Sequence, residues 1–426
     1  MLHGWRLRRE RPRSERGSPS LMPDVSFPAP AGGRGWSLIL ALGITQVIGY
    51  GTLYYAFAVL APRLTASFGW APEWTYGGFA AGLLIGGAVA PFTGRMIDRY
   101  GTRLVMTLGS ALAGLSLLAL AEARGPVSYF VAMIAVEIVS TMVFYDAAFA
   151  ALTQARGAGA RRAISQLTLI GGFASTLFWP LTTTLLAWLD WRGIYRAYGV
   201  LQLVLCVPLH LVLLPGRVNR APEMPKPDGA APVLAATYLE GEARRSAFIL
   251  LAFAFSLQGF VVSAMSIHLL TMLQGLGLSA AVAVTIGAMV GPSQVAGRLV
   301  EMLFGKNVSP VTTAWLSALL MPLGFLLLML GSTTATLAGL FAIAYGISMG
   351  LGSIVRGTVP LQLFGPVGYG AMLGKLSAPG LVIKAAAPLA FAMLIERAGL
   401  MPGNALMVAL SALAASALFL LARKVR

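Results

Sequence analysis

The 426-residue chain contains 57% hydrophobic but only 11% charged residues, and its formal net charge is +16. Soluble domains carry about 25% charged residues, so this composition excludes an ordinary soluble domain and indicates a membrane protein with many spans. The apolar segments are continuous and do not alternate, which predicts helices and excludes a β-barrel. We therefore attribute the positive charge to the cytoplasmic surface of a bilayer and expect no nucleic-acid partner.

The chain begins with a polar segment, residues 1–35, that is rich in Arg, Pro, Ser and Gly. It lacks the apolar core that directly follows the charges of a cleavable signal peptide. We predict a disordered, basic cytoplasmic tail. Met1 and Met22 are both possible translation starts.

Twelve apolar segments, each long enough to cross a bilayer, follow the tail. They predict an all-α membrane protein with two six-helix lobes, at residues 36–215 and 247–426, joined by a proline-rich cytoplasmic linker at 216–246. The predicted helices lie at residues 36–60, 75–93, 104–122, 127–151, 163–187, 193–215, 247–271, 279–303, 311–330, 333–355, 371–395 and 402–422.

The distribution of Lys and Arg predicts an inner-membrane protein with both termini in the cytoplasm. In this orientation 23 of the 31 basic residues are cytoplasmic, including Lys306 and Arg356, and only five lie on the opposite side. Cytoplasmic segments of membrane proteins carry such an excess of Lys and Arg. Three more basic residues, Arg298, Lys375 and Lys384, fall within predicted helices.

A charged turn at residues 93–104, TGRMIDRYGTRL, separates the second and third predicted helices. Its Gly94–Asp98 segment recurs 203 positions later as Gly297–Glu301, at the inner end of the eighth helix. The equal placement in both halves favours an internal duplication. Such repeats are typical of secondary transporters.

The turn also resembles the loop signature of the major facilitator superfamily. It differs from that signature at Thr102, where a basic residue is usual, and matches it at Gly94, Asp98, Arg99, Gly101 and Arg103. Together with the twelve-helix plan, the resemblance implies a monomeric carrier with two pseudo-symmetric lobes that works by alternating access and needs no cofactor.

In this superfamily the turn is implied to lock the outward-facing state at the cytoplasmic gate. An acid near the positive end of a helix is stabilised, and glycines allow close approach of two backbones. The alternative is that the charges are only cytoplasmic anchors. The gating residues implied for this turn are Gly94, Arg95, Asp98, Arg99, Gly101 and Arg103, with Asp98 as the main acceptor.

Within the superfamily, the chain resembles the monocarboxylate and oxalate/formate branch. The supporting features are glycine-rich first, second and fifth helices, Trp70 with Glu73 in the first outer loop, and cations on the eighth and eleventh helices. In the oxalate/formate branch, cations on those two helices bind the substrate carboxylates. The fourth helix lacks the arginine that proton-coupled drug antiporters and many sugar porters carry.

Charged side chains inside a bilayer cost about 2.5–3.5 kcal/mol each on insertion scales, so each is a candidate for function. Lys384, in the middle of the eleventh helix, is the expected anion ligand. Lys375 is half a turn out of phase with it in a regular helix, and we assign it to the inner gate or the headgroup region. Arg298 shares a stripe with Gln294 and Glu301, so it either binds a substrate carboxylate or pairs with Glu301 at the gate.

Two acids lie on the fourth predicted helix. Glu137, in its middle, is expected to exchange the coupling proton, or else to form an ion pair with a cation such as Lys384. Asp146 is nine residues further on, on the other face of a regular helix and nearer the cytoplasm. We therefore assign Asp146 to the gate, as a partner of an arginine in the 93–104 turn.

Uncharged polar residues at helical spacing complete the predicted substrate site. Gln46, Tyr50 and Tyr54 recur every fourth residue on the first helix, and Gln258 lies on the seventh. These side chains either line a cavity or serve only in packing. The three histidines and the single cysteine match no metal-ligand spacing.

The sequence thus predicts proton-coupled transport of a small organic anion, most simply a carboxylate. Two other interpretations are open: efflux of amphipathic compounds through the Met-rich helices, and a membrane receptor or sensor without transport. No nucleophile or metal motif indicates an enzyme.

Overall fold

The computed structural model describes residues 32–216, 238–330 and 334–425, and these ranges contain the twelve membrane-length helices that the sequence predicts. The predicted tail and most of the predicted linker lie outside the described residues. The helices are α1 (Trp36–Phe68), α2 (Pro72–Tyr100), α3 (Thr102–Ala121), α4 (Pro126–Arg156), α5 (Ala160–Leu185), α6 (Trp191–Leu213), α7 (Gly241–Gly275), α8 (Ala280–Phe304), α9 (Pro310–Leu330), α10 (Ala335–Phe364), α11 (Tyr369–Ala398) and α12 (Leu400–Val425).

Most helices extend beyond their predicted ends. Helix α2 continues to Tyr100, so most of the predicted turn at residues 93–104 is helical. Helix α7 begins at Gly241, inside the predicted linker, and α10 continues past residue 355 to Phe364. Arg356 therefore lies within a membrane helix, and its assignment to a cytoplasmic loop is wrong. A hydropathy pattern predicts that a span ends where a charged residue occurs. In the structure Arg356 has an acidic partner, Asp146, which lowers the cost of its charge within the helix.

The helices form two bundles: α1–α6 surround one apolar core, and α7–α12 surround two apolar clusters. With twelve spans, α1 begins and α12 ends on the same side, which we call the terminal face. The core of the first bundle also includes Tyr369 and Leu373 from the start of α11, so the bundles pack tightly at this face. Gly94 of α2 contacts the backbone of Gly370 there, where a Cβ atom would overlap it.

Helix α4 is broken near its middle. Phe144 is extended, with φ −74° and ψ −172°, between the helical segments Pro126–Val143 and Tyr145–Arg156. The fully buried Gln46 of α1 donates from Nε2 to the carbonyl oxygen of Val143 at 2.6 Å. Because a broken helix leaves backbone groups without partners, this hydrogen bond supports the interruption.

Helices α1 and α6 each contain a short π-helical segment, Gly51–Tyr55 and Gln202–Cys206. The two segments are joined by a hydrogen bond of 2.8 Å from Gln202 Nε2 to Thr52 Oγ1. Such bulges often accompany functional sites, since they turn side chains out of the regular helical register.

Candidate functional site

A cavity of about 310 Å³ lies between the bundles. Most of its wall comes from α1, α2 and α4 of the first bundle and from α7, α10 and α11 of the second. Its volume is at the lower end of the range for small-molecule sites. The cavity wall includes five residues expected at the substrate or proton site: Tyr50, Tyr54, Glu137, Gln258 and Lys384.

Helix α7 contacts both the backbone and the side chain of Lys384. Pro388 has no N–H, so the carbonyl oxygen of Lys384 lacks its helical donor and accepts instead from the Ser263 hydroxyl at 2.8 Å. A Cβ atom on Gly259 would lie 3.2 Å from Lys384 Cε, so this glycine leaves room for the side chain. In the described parts of the chain, the ammonium group has no hydrogen-bond or ion-pair partner. Its charge is therefore available to a ligand.

Glu137 of α4 lies on the opposite wall with 5% of its surface exposed. Gly82 of α2 packs against it, and a Cβ atom there would lie 2.7 Å from Glu137 Cγ. Its Oε1 atom is buried and has no hydrogen-bond partner among the described residues. The alternative expectation, an ion pair with Lys384, is not formed in the described structure. Since an unpaired buried carboxylate is costly, this site suits a group that binds a proton.

An ion pair between the bundles, which the sequence analysis missed, lies in the cavity wall. Asp146 Oδ1 of α4 is 3.4 Å from Arg356 Nε of α10, and both residues line the cavity. Ser377 of α11 donates its hydroxyl to Asp146 Oδ2 and accepts from Arg356 Nη2 at 2.7 Å. The assignment of Asp146 to an arginine of the 93–104 turn is therefore wrong. The break at Phe144 is the reason, because the angular count for a regular helix does not hold across it.

Arg298 of α8 lies behind the cavity wall rather than in it. It is 5% exposed, and its Nε donates to Ser353 Oγ at 3.1 Å and to Gly350 O at 3.3 Å, both on α10. The guanidinium contacts Gly172 of α5, where a Cβ atom would overlap it. The gate pairing with Glu301, one of the two expectations for Arg298, is absent from the described structure. Ser353, which accepts from Arg298, is part of the cavity wall, whereas Arg298 is not.

Two other residues that the sequence assigned to functional positions, Gln46 and Lys375, do not line the cavity. Gln46 was expected at the substrate site, but its amide supports the break in α4. Lys375 is exposed and does not line the cavity, in agreement with its half-turn offset from Lys384.

Aromatic rings form much of the wall on the first bundle. Tyr50 stacks on Phe144 with centroids 4.1 Å apart and lies 4.9 Å from Tyr145. Tyr54 contacts Tyr55 edge to face at 5.3 Å. Phe144 is the extended residue of the break in α4, and Tyr145 and Asp146 follow it directly, so the packing of these rings helps to set the position of Asp146.

At the terminal face, Asp98 of α2 binds the start of α11. Its two carboxylate oxygens accept from Gly370 N at 3.0 Å and from Ala371 N at 2.7 Å. These N–H groups have no partner within their own helix, and the positive helix end favours an acid. Gly101, which follows α2, has a φ of 85°, a conformation that favours glycine.

The second bundle makes a corresponding contact with the first. Glu301 at the end of α8 accepts from Ser165 Oγ at 2.8 Å and lies 3.7 Å from Arg161 Nη2, both near the start of α5. Arg161 also donates to the carbonyl oxygens of Gly305 and Val308, at 2.9 and 2.6 Å. The two copies of the repeated motif thus end in acids, Asp98 and Glu301, that each reach the fifth helix of the opposite bundle.

The three arginines of the 93–104 turn are exposed. Arg95 lies over the ring of Phe92 at 5.8 Å, and Arg99 lies over that of Tyr100 at 5.3 Å. Arg103 is exposed at the start of α3. In the ranges that the structure describes, no cluster of His, Cys, Asp or Glu is suited to a metal ion.

A family model identifies the family of the chain, and solved structures share its fold. The model of the Major Facilitator Superfamily matches residues 42–374. The human organic anion transporter MFSD10 (TETRAN) aligns with a TM-score of 0.69 and 17% identity, over 92% of this chain and 100% of that chain. The proton:xylose symporter XylE bound to 6-bromo-6-deoxy-D-glucose aligns with a TM-score of 0.69 and 13% identity, over 90% of this chain and 95% of that chain. A search of curated proteins found no significant match.

Proposed function

Since the chain belongs to the major facilitator superfamily of transporters, we propose that it carries a small organic anion, a carboxylate, by alternating access coupled to protons. The observation that carries this proposal is the unpaired ammonium group of Lys384 in a cavity between the two bundles. That the similarly folded human MFSD10 is an organic anion transporter indicates that such substrates are compatible with the fold.

The charges of the cavity wall favour an anion with a single negative charge. Asp146 and Arg356 neutralise each other, and Glu137 is neutral when it carries a proton. Lys384 then leaves one positive charge without a partner. A buried cation is costly unless it is paired, so a substrate carboxylate would replace the missing counter-ion.

Glu137 is the proposed proton site because it lies in the same cavity as Lys384. Inside a protein, charges interact more strongly than in water, so the proton on Glu137 and the anion at Lys384 influence each other. Entry of the anion together with a proton keeps the net charge of the cavity low. Tyr50, Tyr54 and Gln258 would shape the pocket around the substrate.

The contacts at the terminal face are the proposed gate. Asp98 joins α2 to α11, Glu301 joins α8 to α5, and Gly94 allows the two backbones to touch. If this face is cytoplasmic, as the distribution of Lys and Arg predicts, the contacts close the carrier on the inside. The protein would then act as a monomer in the inner membrane with both termini in the cytoplasm.

Uptake into proteoliposomes tests the proposal. The purified protein is supplied with radiolabelled carboxylates and with their uncharged amides, with and without an imposed pH gradient. We expect saturable uptake of an acid but not of its amide. Transport of the amide at the same rate, or binding of the acid without flux, would contradict carboxylate transport, and the latter result would favour a receptor or sensor.

Variants of Lys384 test the site. Loss of a hydrogen bond to a charged group costs about 1.5–3 kcal/mol, so Lys384→Gln should raise the KM for the acid by roughly 10- to 100-fold. Lys384→Arg should retain part of the affinity. The control is Arg397→Gln, which removes one positive charge from an exposed position on the same helix and should transport normally. Unchanged uptake in Lys384→Gln would exclude the assigned anion site.

A further inference from the structure

We propose that Arg356 is a second ligand for the substrate carboxylate. While the cavity is empty, the carboxylate of Asp146 takes the place of the substrate carboxylate beside Arg356. Arrival of the anion then breaks an ion pair that joins the two bundles. This inference rests on the proposed function, carboxylate binding at Lys384, and adds to it a residue and a link to the movement of the bundles.

The contact between Asp146 and Arg356 leaves the guanidinium incompletely used. The Nε–Oδ1 distance is 3.4 Å, longer than the 2.7–2.9 Å typical of charge-assisted hydrogen bonds. The other donor with a partner, Nη2, is bound to Ser377 rather than to the carboxylate. An arginine can offer a carboxylate two parallel N–H groups, and Asp146 does not take both. A substrate carboxylate, which is free to move, can orient itself to accept from two N–H groups of Arg356 at once.

Both members of the pair are accessible from the cavity. The side chains of Arg356 and Asp146 are 32% and 25% exposed, and both belong to the cavity wall. Ion pairs with such access to solvent contribute little net stability, because water competes for both charges. Lys384 lines the same cavity as both residues, so an anion bound at Lys384 shares the cavity with the Asp146–Arg356 pair.

Asp146 keeps other partners when it loses Arg356. Its Oδ2 atom accepts from the Ser377 hydroxyl, a contact that does not depend on Arg356. It also lies in the first turn of the second segment of α4, Tyr145–Arg156, where the positive helix end favours an acid. The displaced carboxylate is therefore not left unpaired, which lowers the cost of the exchange.

The pair is the link between the bundles that a substrate can reach. Among the polar contacts between the bundles in the described ranges, this is the one in which both side chains line the cavity. The contacts of Asp98 and of Glu301 lie closer to the terminal face. Release of Asp146 from Arg356 would remove the charged contact between the bundles that lies nearest the cavity and would leave the hydrogen bond from Ser377 of α11 to Asp146 in place.

The test compares single variants with a charge exchange, using uptake of the carboxylate that the wild type transports. Asp146→Asn removes the internal competitor, and we expect the KM to fall several-fold. Arg356→Gln removes the ligand and should raise the KM at least 10-fold, whereas the control Arg397→Gln should not change it. The double variant Asp146→Arg/Arg356→Asp can restore an ion pair but not the anion site, so its KM should remain high.

Spin labels provide a second readout that does not depend on flux. The only cysteine of the chain, Cys206, is buried, so cysteines introduced at the exposed Leu104 and Val367 can be labelled selectively. Saturating carboxylate should change the distance distribution in the wild type. In Arg356→Gln the carboxylate should leave it unchanged, and thermal unfolding identifies any variant that has not folded.

Different results separate the two hypotheses. A charge exchange that restores the wild-type KM, or equal increases in KM for Asp146→Asn and Arg356→Gln, would show that the pair is only structural and would overturn the inference. An unchanged KM in Arg356→Gln would overturn it while leaving carboxylate transport intact. If the wild type takes up no carboxylate, the proposed function and the inference both fail.

Discussion

Asp98 and Ala371 lie 273 residues apart in sequence, yet Oδ2 of Asp98 accepts a hydrogen bond of 2.7 Å from the backbone N–H of Ala371. The acid belongs to the first bundle and the N–H group to the first turn of α11 in the second bundle. A helix start has N–H groups without internal partners, and Asp98 satisfies two of them. The stability of this contact therefore depends on the bundles remaining together at the terminal face.

Asp98→Asn should weaken closure of the terminal face. An acid at a helix start contributes about 0.3–2 kcal/mol, and asparagine loses the charge and one acceptor oxygen. The fraction of molecules with a long distance between labels at Leu104 and Val367 should therefore rise. Asp190→Asn is the matched control, because Asp190 accepts from Gly193 N at 2.7 Å within a single bundle. Equal distance distributions for Asp98→Asn and the wild type would exclude a gating role for Asp98.

The features predicted correctly are those that depend on local sequence. The twelve helices follow from apolar length, and the position of Lys384 in the cavity with Lys375 outside it follows from their offset on α11. The repeated motif identified Asp98 and Glu301, whose contacts with the opposite bundle form a matching pair.

The incorrect predictions depend on contacts between distant residues. No proline or glycine marks the break in α4 at Phe144, and its support, Gln46, lies 97 residues before Val143 in the chain. In a regular helix, Asp146 would face away from the cavity. The charge of Arg356 predicts the end of a span, because its acidic partner is on another helix and is not evident from the local sequence. The residues of α4 that face the cavity could therefore be identified only from the three-dimensional structure.

Gly94→Ala should also disfavour closure, for a steric reason. A Cβ atom at this position would overlap the backbone of Gly370, which cannot move as a flexible side chain can. We expect a larger increase in the label distance than for Asp98→Asn. Gly291→Ala is the control, since a Cβ atom there meets no heavy atom within 4 Å and alanine favours a helix. A normal distance in Gly94→Ala would show that the backbones do not approach this closely.

Glu137→Gln should remove the dependence of transport on protons. Glutamine has nearly the same shape, but its amide does not take up and release a proton as a carboxylate does. In the wild type, carboxylate uptake should rise as the external pH is lowered, whereas in Glu137→Gln it should be flat and exchange of internal for external carboxylate should continue. Glu396→Gln, on the exposed end of α11, should keep the wild-type pH dependence. Persistence of that dependence in Glu137→Gln would place the coupling proton elsewhere.

Ser263→Ala should weaken substrate binding by loosening the position of Lys384. The Ser263 hydroxyl holds the carbonyl oxygen of Lys384, which Pro388 leaves without a helical donor. A hydrogen bond of this kind contributes about 0.5–1.5 kcal/mol, so the KM should rise roughly 2- to 10-fold. Ser266→Ala is the control because its hydroxyl bonds only to Ser263 O, within α7. Equal KM values in both variants would show that Ser263 does not position Lys384.

Gln46→Met should loosen the break in α4 and, through it, the cavity wall. Methionine has a similar length but cannot donate to Val143 O, and a buried carbonyl without a partner costs about 1–3 kcal/mol. We expect a lower unfolding temperature and a weaker Asp146–Arg356 pair, because Asp146 lies three residues after Val143. Gln274→Met, at an exposed position near the end of α7, is the control for the change of side chain.

The effect on transport separates support of the break from direct contact with substrate. If Gln46 acts only through α4, Gln46→Met should alter the KM of the wild type but add little to that of Asp146→Asn, in which the pair is already absent. Residues coupled through one element show such non-additivity. If Gln46 instead touched the substrate, its effect on KM would be independent, and the free-energy changes of the two substitutions would add.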